Sequence, residues 1–264
     1  MRRYRQLTLM RLIVDIGNSN VTIGLWKAPE WLYVWRLPTR ADQSALMFYE
    51  VQLSNLFLEA RLPEGEIRQV VISSVVPDLR DTWIAVSRTL TGLEPVLIGP
   101  RVFPLLGMGI QKPDEIGTDL VANAFAAFQL YRKDCVVVDF GTALTFTTLT
   151  GEGDILGVSI APGLKTAIKS LFLNTAQLPE VPLVLPASAV GKDTVHAIQS
   201  GILIGYVGLV KHMLEVIRAE LGGHYIAVAT GGLSSILHPL EGMFEVIDPN
   251  LTLTGLRLIG EKIF

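Results

Sequence analysis

The chain has a single cysteine, four histidines and few charges, with 18% of its residues Asp, Glu, Lys or Arg. One cysteine permits neither an internal disulfide nor a cysteine metal cluster. Cys135 opens the run Cys135-Val136-Val137-Val138, so a buried strand thiol is expected, which suits a reducing cytoplasm. Basic residues number 22 and acidic residues 25, interspersed to a net charge of -3. Such a balance gives no electrostatic footprint for nucleic acid or an anionic membrane surface. Long apolar runs are also absent. Each is broken by Pro, Gly or charge before the roughly 18 residues of a membrane span, and the closest, 201–210, is about half that length, so a soluble protein is expected. The basic opening Met1-Arg2-Arg3-Tyr4-Arg5 resembles the start of a signal peptide, but Arg11 and Asp15 interrupt the apolar stretch behind it and no small-residue cleavage site follows. Export is not expected, and residues 1–9, ahead of the alternative start Met10, are assigned no function.

What the chain has is apolar content: half of its 264 residues are hydrophobic. That length and composition suit two compact domains. The run Leu12-Ile13-Val14-Asp15 ends in Gly17-Asn18-Ser19-Asn20 and leads into an alternating segment over 21–26, which reads as strand, tight turn and antiparallel strand. A third strand over 32–36, a helix over 44–60, a strand over 70–75, a helix over 78–91 and a short strand over 95–98 complete the first half. A helix begins at Thr118 or Asp119 and runs to about 133. The opening pattern then returns: a strand over 134–139 ends in Phe140-Gly141-Thr142-Ala143, followed by an alternating strand over 144–149. Asp15 and Asp139 lie 124 positions apart, about one domain, and an internal duplication accounts for this economically. Further expectations are a hairpin through 151–154, a helix over 164–173, an extended loop over 179–186, a long helix over 193–221, and a strand over 225–229 leading into Thr230-Gly231-Gly232. Hairpins followed by helices, twice over, indicate an α/β fold with mixed β-sheets flanked by helices. The expected domains are 10–117 and 118–264.

Three small-residue turns each follow a buried strand: Asp15-Ile16-Gly17-Asn18-Ser19, Asp139-Phe140-Gly141-Thr142-Ala143 and Ala229-Thr230-Gly231-Gly232-Leu233. Glycine leaves backbone N–H groups unshielded, so each turn can cradle an anion. The carboxylates of the first two make chemical sense beside phosphates if a cation lies between, which implies Mg²⁺ bound to a nucleotide. The order of the three turns resembles the actin, Hsp70 and sugar-kinase superfamily, in which two ribonuclease-H-like domains clamp ATP between duplicated hairpins. Within it, the segments Ile72-Ser73-Ser74-Val75-Val76-Pro77, Gly117-Thr118-Asp119, Ile160-Ala161-Pro162-Gly163, Gly191-Lys192-Asp193-Thr194 and Gln199-Ser200-Gly201, in register with the turns, are similar to the successive signatures of type III pantothenate kinases over nearly the whole chain, about 12–258.

That resemblance implies phosphorylation of pantothenate by ATP in coenzyme A biosynthesis, with Mg²⁺ and an activating K⁺ or NH₄⁺, by a cytoplasmic homodimer whose interface the long helix supplies. It implies that Asp15, Gly17, Asn18, Ser19, Asn20 and Thr22 hold the ATP phosphates, that Thr142, Gly231 and Gly232 contact the nucleotide, and that Asp139 binds the monovalent cation, with Asp15 as the other metal-side carboxylate. Gly117, Thr118, Asp119, Leu120 and Thr194 fall in the pantothenate site, Asp119 accepting the proton of the attacking hydroxyl. From local sequence alone Asp119 reads more readily as a helix cap than as a catalytic acid, and the family register reverses that order. At a helix N-terminus the dipole favours its ionised form and makes it a weak base, which suffices because phosphoryl transfer depends chiefly on positioning and charge neutralisation. The chain departs from the family where an arginine usually follows the aspartate, here Leu120, and where a tyrosine usually contacts pantothenate, here Ile110. Leucine offers none of the bidentate charge of arginine. Two other readings therefore stand beside the kinase: one of the same fold with another acceptor, and a nucleotide-binding regulator. Histidines carry little weight. His196 and His212 lie 16 positions apart on one helix, over four turns, too far to share a metal. Trp26, Trp31, Trp35 and Trp83 read as packing residues.

Overall fold

The computed structural model describes residues 9–63, 65–232 and 238–264, so Leu233 of the third turn and the basic opening lie outside the described residues. The chain divides into two compact units. The first runs to Gly107 and adds Lys112–Ala122 and Thr252–Phe264; the second is Met108–Gln111 with Asn123–Leu251. Against an expected boundary at 117/118, the first unit thus takes in the start of the helix at Thr118 and the C-terminal segment.

In the first unit β1 (Met10–Ile16), β2 (Asn20–Lys27) and β3 (Glu30–Pro38) form an antiparallel meander, and β4 (Ile67–Ser74) and β5 (Val96–Leu97) add in parallel beyond β1. β1 and β4 are almost continuously buried because both sheet faces are covered, as the central parallel pair of an α/β sheet requires. On β2 the alternation places Val21, Ile23 and Leu25 in the core. That core lies under α1 (Ala45–Glu59) and α2 (Arg80–Thr91), whose fully buried Tyr49 and Trp83 meet with ring centroids 4.8 Å apart. Truncating a core Trp of this kind costs about 3–5 kcal/mol. Gly92, at φ 69°, ends α2 in the left-handed conformation that glycine alone adopts readily. The other tryptophans also pack: Trp26 meets Trp31 edge-on at 5.1 Å, and Trp35 stacks on Tyr33 at 5.0 Å.

A helix that the sequence reading does not contain, α7 (Leu251–Ile263), belongs to this unit from Thr252 onward. Its Gly260 carbonyl accepts a 3.0 Å bond from the buried Gln69 amide of β4, and Gln69 accepts in turn from Arg11 of β1 at 2.8 Å. Arg11 also pairs with Glu261 at 3.1 Å, and the Arg257 guanidinium lies 4.3 Å over Trp26. A Cβ on Gly255 would run into the Ala122 carbonyl, and one on Gly260 would come 2.7 Å from Val71. The two glycines that make 251–263 look unlike a helix are those that let it dock.

The second unit repeats the first. β6 (Cys135–Phe140), β7 (Ala143–Leu149) and β8 (Ile155–Pro162) form the meander, β9 (Ile226–Thr230) lies parallel to β6, and β10 (Val246–Ile247) lies parallel to β9. Read from its meander edge, the order β8-β7-β6-β9-β10 is that of the first sheet, β3-β2-β1-β4-β5. The crossover from β8 to β9 carries α4 (Leu164–Leu173), α5 (Thr194–Gln199) and α6 (Gly205–Leu221). Asp193 caps α5, its carboxylate accepting the His196 N–H at 2.8 Å. One π-helical turn, Ser200–Ile204, joins α5 to α6. The expected single helix is therefore continuous over 28 residues but not uniformly α, and by length and composition alone it is apolar enough to cross a membrane, which the run-length reading missed. Tyr206, Val210 and Leu214 of α6 are buried with Val136, Val138 and Phe146 of the sheet. The remaining helix, α3 (Thr118–Tyr131), passes from the first unit into the second at Asn123.

Two outcomes are expected. Cys135 is fully buried and burial pushes its thiol up to about 12, so iodoacetamide at pH 8 should leave it unmodified in the folded protein and alkylate it in urea; rapid labelling without urea would contradict the strand placement. Gly255→Ala should lower the urea midpoint by the equivalent of about 1–3 kcal/mol, although alanine in a helix ordinarily gains about 1 kcal/mol over glycine. A midpoint unchanged or raised would contradict the close approach of α7 to Ala122.

Candidate active site

In the first unit the carboxyl ends of β1 and β4 carry the polar groups. Asp15, half-buried, stands in register with Thr22 of β2 and Ser73 of β4. Ile16 pairs with Val21, which leaves Gly17, Asn18, Ser19 and Asn20 to turn the chain. The Gly17 N–H closes the turn on the Asn20 carbonyl at 3.0 Å, and Thr39 braces it, its hydroxyl donating to the Gly17 carbonyl at 2.6 Å and its N–H to the Ser19 carbonyl at 3.1 Å. Asn18, Ser19 and Asn20 project into solvent from this braced turn. The buried Ser73 hydroxyl shares a 2.8 Å hydrogen bond with Thr118, the first residue of α3. Strand pairing and this one bond bring Asp15, Thr22, Thr118 and Asp119 to the same end of one sheet, the end where open α/β sheets bind ligands.

Asp119 lies one residue into α3 and its carboxylate accepts the Leu120 N–H at 2.9 Å. A Cβ on Gly117 would collide with that carboxylate, so only glycine fits beneath it. Burial pushes the Asp119 pKa up, and the N–H groups of Leu120 and of Asp119 itself oppose the shift without cancelling it. This corrects the expectation of a weak base: the helix N-terminus does favour the anion, but removal from water outweighs it. Leu120 is buried at 9% exposure and packs away from solvent. Ile110 belongs to the short segment of the second unit whose Gly109 carbonyl accepts from the Ile155 N–H at 2.9 Å.

In the second unit Asp139 holds the position that Asp15 holds in the first, in register with Thr145 of β7 and Thr230 of β9. Its Oδ2 accepts from the amide of Asn123, a fully buried residue of α3, at 2.9 Å. The Gly141-Thr142 turn closes by a 3.1 Å bond from the Gly141 N–H to the Ala143 carbonyl, and the Thr142 carbonyl accepts from the Gly163 N–H at 3.0 Å and the Thr166 hydroxyl at 2.7 Å. Gly231, at φ 91°, packs its Cα against this turn; a Cβ there would stand 2.5 Å from Asp139 Oδ1. The sequence-identified residues Asp139, Thr142 and Gly231 are thus brought together, with Gly232 following. Thr194 is elsewhere in the unit, on a cavity of about 680 Å³ walled by Leu171, Leu178, Ile198 and Ile202 and edged by Lys192 and Asp193. No residue of the Asp139 cluster lines it.

Asn123 and the strand hydroxyl Thr145 carry no role in the sequence reading, and Ser73 and Thr230 enter it only as members of their motifs. Asn123 did leave a signal, as the one polar residue in Val121-Ala122-Asn123-Ala124-Phe125-Ala126-Ala127. Among the described residues no group of three or more His, Cys, Asp or Glu gathers to hold a metal ion. Each turn offers a single carboxylate, which fits an Mg²⁺ held largely by nucleotide phosphates and water. The Thr145 and Thr230 hydroxyls, buried and without a hydrogen-bond partner beside Asp139, fit an oxygen-coordinated cation there.

Comparison with known proteins agrees with this arrangement. The family model for type III pantothenate kinase matches residues 11–216. The type III pantothenate kinase of Treponema pallidum is 43% identical over 257 residues, 96% of this chain and 94% of the relative, and that of Moorella thermoacetica is 38% identical over 253 residues, 96% and 99% of the two chains. Among solved structures, MreB5 of Spiroplasma citri bound to ADP superposes with a TM-score of 0.51 at 10% identity over 97% of both chains, a likeness of fold alone. The two mixed five-stranded sheets are those of the two-domain actin-like ATPase fold, and the chain belongs to the type III pantothenate kinase family.

Proposed function

We propose that the chain transfers the γ-phosphoryl group of ATP to the primary hydroxyl of pantothenate, forming 4′-phosphopantothenate at the start of coenzyme A synthesis. The observation that carries this reading is the partly buried Asp119 carboxylate, seated over Gly117 at the sheet end that also bears the Asp15 turn. The hydroxyl oxygen attacks the γ-phosphorus, the bond to the bridging oxygen breaks, and ADP leaves with its electron pair. Asp119 receives the hydroxyl proton. Its raised pKa brings it nearer the operating pH than a solvated carboxylate, which makes it the better acceptor. The residues 15–22 receive the triphosphate through exposed N–H and hydroxyl groups, and Thr142, Gly231 and Gly232 contact the nucleotide. When bound, Mg²⁺ supplies neutralisation of phosphate charge beside Asp15. Asp139 holds a monovalent cation, K⁺ or NH₄⁺. Gly117 and Thr118, beside Asp119, contact the acceptor.

Leu120 is the observation that favours a second reading. Being buried, it gives an acceptor carboxylate neither charge nor hydrogen bond, which suits a kinase of the same fold for a less anionic acceptor such as pantetheine. We further place the protein in the cytoplasm, consistent with its one buried thiol, as a homodimer joined through the helix beginning at Thr194, where Val195 and Val216 remain exposed.

A coupled assay should show ADP release that requires pantothenate. Release with pantetheine alone would establish the second reading, and stabilisation by ATP without turnover would indicate a regulator. Asp119→Asn should reduce kcat by at least about 10²-fold while ATP still raises the melting temperature; an active variant removes Asp119 from the mechanism. The same variant should be more stable than wild type at neutral pH. A carboxylate whose folded pKa is raised above the ordinary 3.8 costs the native state nothing below that value, and progressively more as pH rises through the folded pKa. The stability gap between variant and wild type should therefore be full at pH 7–8 and close towards pH 4.

A further inference from the structure

The three strands of the first meander carry three basic side chains, and two of them are engaged. Arg11 is held by Gln69 and Glu261, and Lys27 by Glu66 at 3.4 Å. Both lie at the far end of the sheet from the 17–20 turn, since Met10 pairs with Lys27 and Arg11 with Trp26. The third, Arg36 of β3, is exposed, and among the described residues its side chain has no carboxylate or other hydrogen-bond partner.

Strand register sets Arg36 at the end that bears the turn. It stands opposite Thr22 of β2, Thr22 stands opposite Asp15 of β1, and Asp15 stands opposite Ser73 of β4. Residues directly opposed across strands place their side chains on the same face of the sheet. Trp35 and Leu37, on either side of Arg36, pack with the core under α1, so alternation turns Arg36 to the opposite face. That is the face on which Ser73 shares its hydrogen bond with Thr118, one residue before Asp119. Two residues beyond Arg36, Pro38 pairs with Asn20 of the turn, and Thr39 braces it. Arg36 therefore flanks the turn, one strand spacing of about 4.8 Å from Thr22.

The row Ser73, Asp15, Thr22 carries one negative charge, and the turn adds no positive one. A triphosphate brings more negative charge than one Mg²⁺ neutralises, and Asp15 adds to the excess. Arginine meets phosphate with two parallel N–H donors, and clamps of this kind are a recurring element of phosphoryl transfer. Arg36 is the member of the row farthest from Thr118 and Asp119, so it lies towards the turn and away from the acceptor.

We propose that Arg36 is the phosphate-binding cation of the first unit, its guanidinium closing on the ATP phosphates that the 17–20 turn receives. The proposal rests on the reading of residues 15–22 as the triphosphate loop and adds the positive charge that this reading lacks.

The test measures KM for ATP and for pantothenate, and the rise in melting temperature given by Mg²⁺ and ATP, on the full chain as wild type, Arg36→Gln, Arg36→Lys and Lys27→Gln. Arg36→Gln should raise KM for ATP at least about tenfold, leave KM for pantothenate unchanged and lose most of the ATP-induced rise. Its melting temperature without ligand should stay within about 2 °C of wild type, because the side chain is exposed. Arg36→Lys, which keeps the charge but not the fork, should fall between the two. Lys27→Gln, which removes a charge at the other end of the meander, should match wild type throughout. If Arg36→Gln keeps the wild-type KM for ATP and the wild-type ATP-induced rise, Arg36 is only a charge guarding an edge strand, and if the rise in KM is confined to pantothenate, Arg36 belongs to the acceptor; either result overturns the assignment. Pantothenate-dependent ADP release by wild type alongside an unaffected Arg36→Gln leaves the kinase standing and removes Arg36. Stabilisation of wild type by ATP that Arg36→Gln loses, with no pantothenate-dependent release, does the reverse.

Discussion

Close approach of backbone to carboxylate, with no Cβ between, is the constraint on which each functional element depends. Gly117 lies under the Asp119 carboxylate, Gly231 lies against Asp139 Oδ1 and the Phe140 backbone, and Gly163 packs on the carbonyls of the Gly141-Thr142 turn. At each of these points a methyl group would displace either the acid or the loop that faces it. Strand register supplies the other half. Because Asp15 and Asp139 each sit next to the end of a central strand, flanked on both sides by hydroxyl residues, the polar groups emerge where the backbone stops pairing and N–H groups become available to an anion.

Some of the unfavourable terms of the fold lie at the same places. Asp119 is partly removed from water, which raises its pKa, and Thr145 and Thr230 bury hydroxyls without partners. In the scaffold the buried Gln69 bridges Arg11 and the Gly260 carbonyl and Tyr49 accepts the Arg40 N–H at 2.8 Å, while Trp26 Nε1, Trp83 Nε1, Ser87 Oγ and Arg257 Nε are also buried without a hydrogen-bond partner. α1 and α2 over the first sheet and α6 over the second supply the apolar packing that tolerates this.

The duplication was legible because each half begins with an apolar run ending in aspartate and a glycine turn, and the two sheets do share one strand order. Helices with apolar spacing and clear ends, such as α1, α2 and α4, were legible to within a residue or two. Others were hidden for definite reasons. α7 carries Gly255 and Gly260 and alternates Leu with Thr, so its local preferences oppose the helix that burial imposes. The two-residue strand β10 is too short to show periodicity, and the π turn at Ser200–Ile204 differs from α-helix only in its hydrogen bonds.

The sequence by itself determined the superfamily and the duplicated turns, each with an aspartate at its strand end, because glycine, aspartate and apolar runs at fixed spacing are local statements about backbone and charge. It could not determine the protonation tendency of Asp119, since burial depends on which residues pack over a helix end, and here that effect opposes and exceeds the local one from the N–H groups of Leu120 and Asp119. Nor could it find Asn123 as the partner of Asp139, or the unpaired state of Thr145 and Thr230, because those are properties of neighbours brought together by sheet pairing and helix packing from far along the chain.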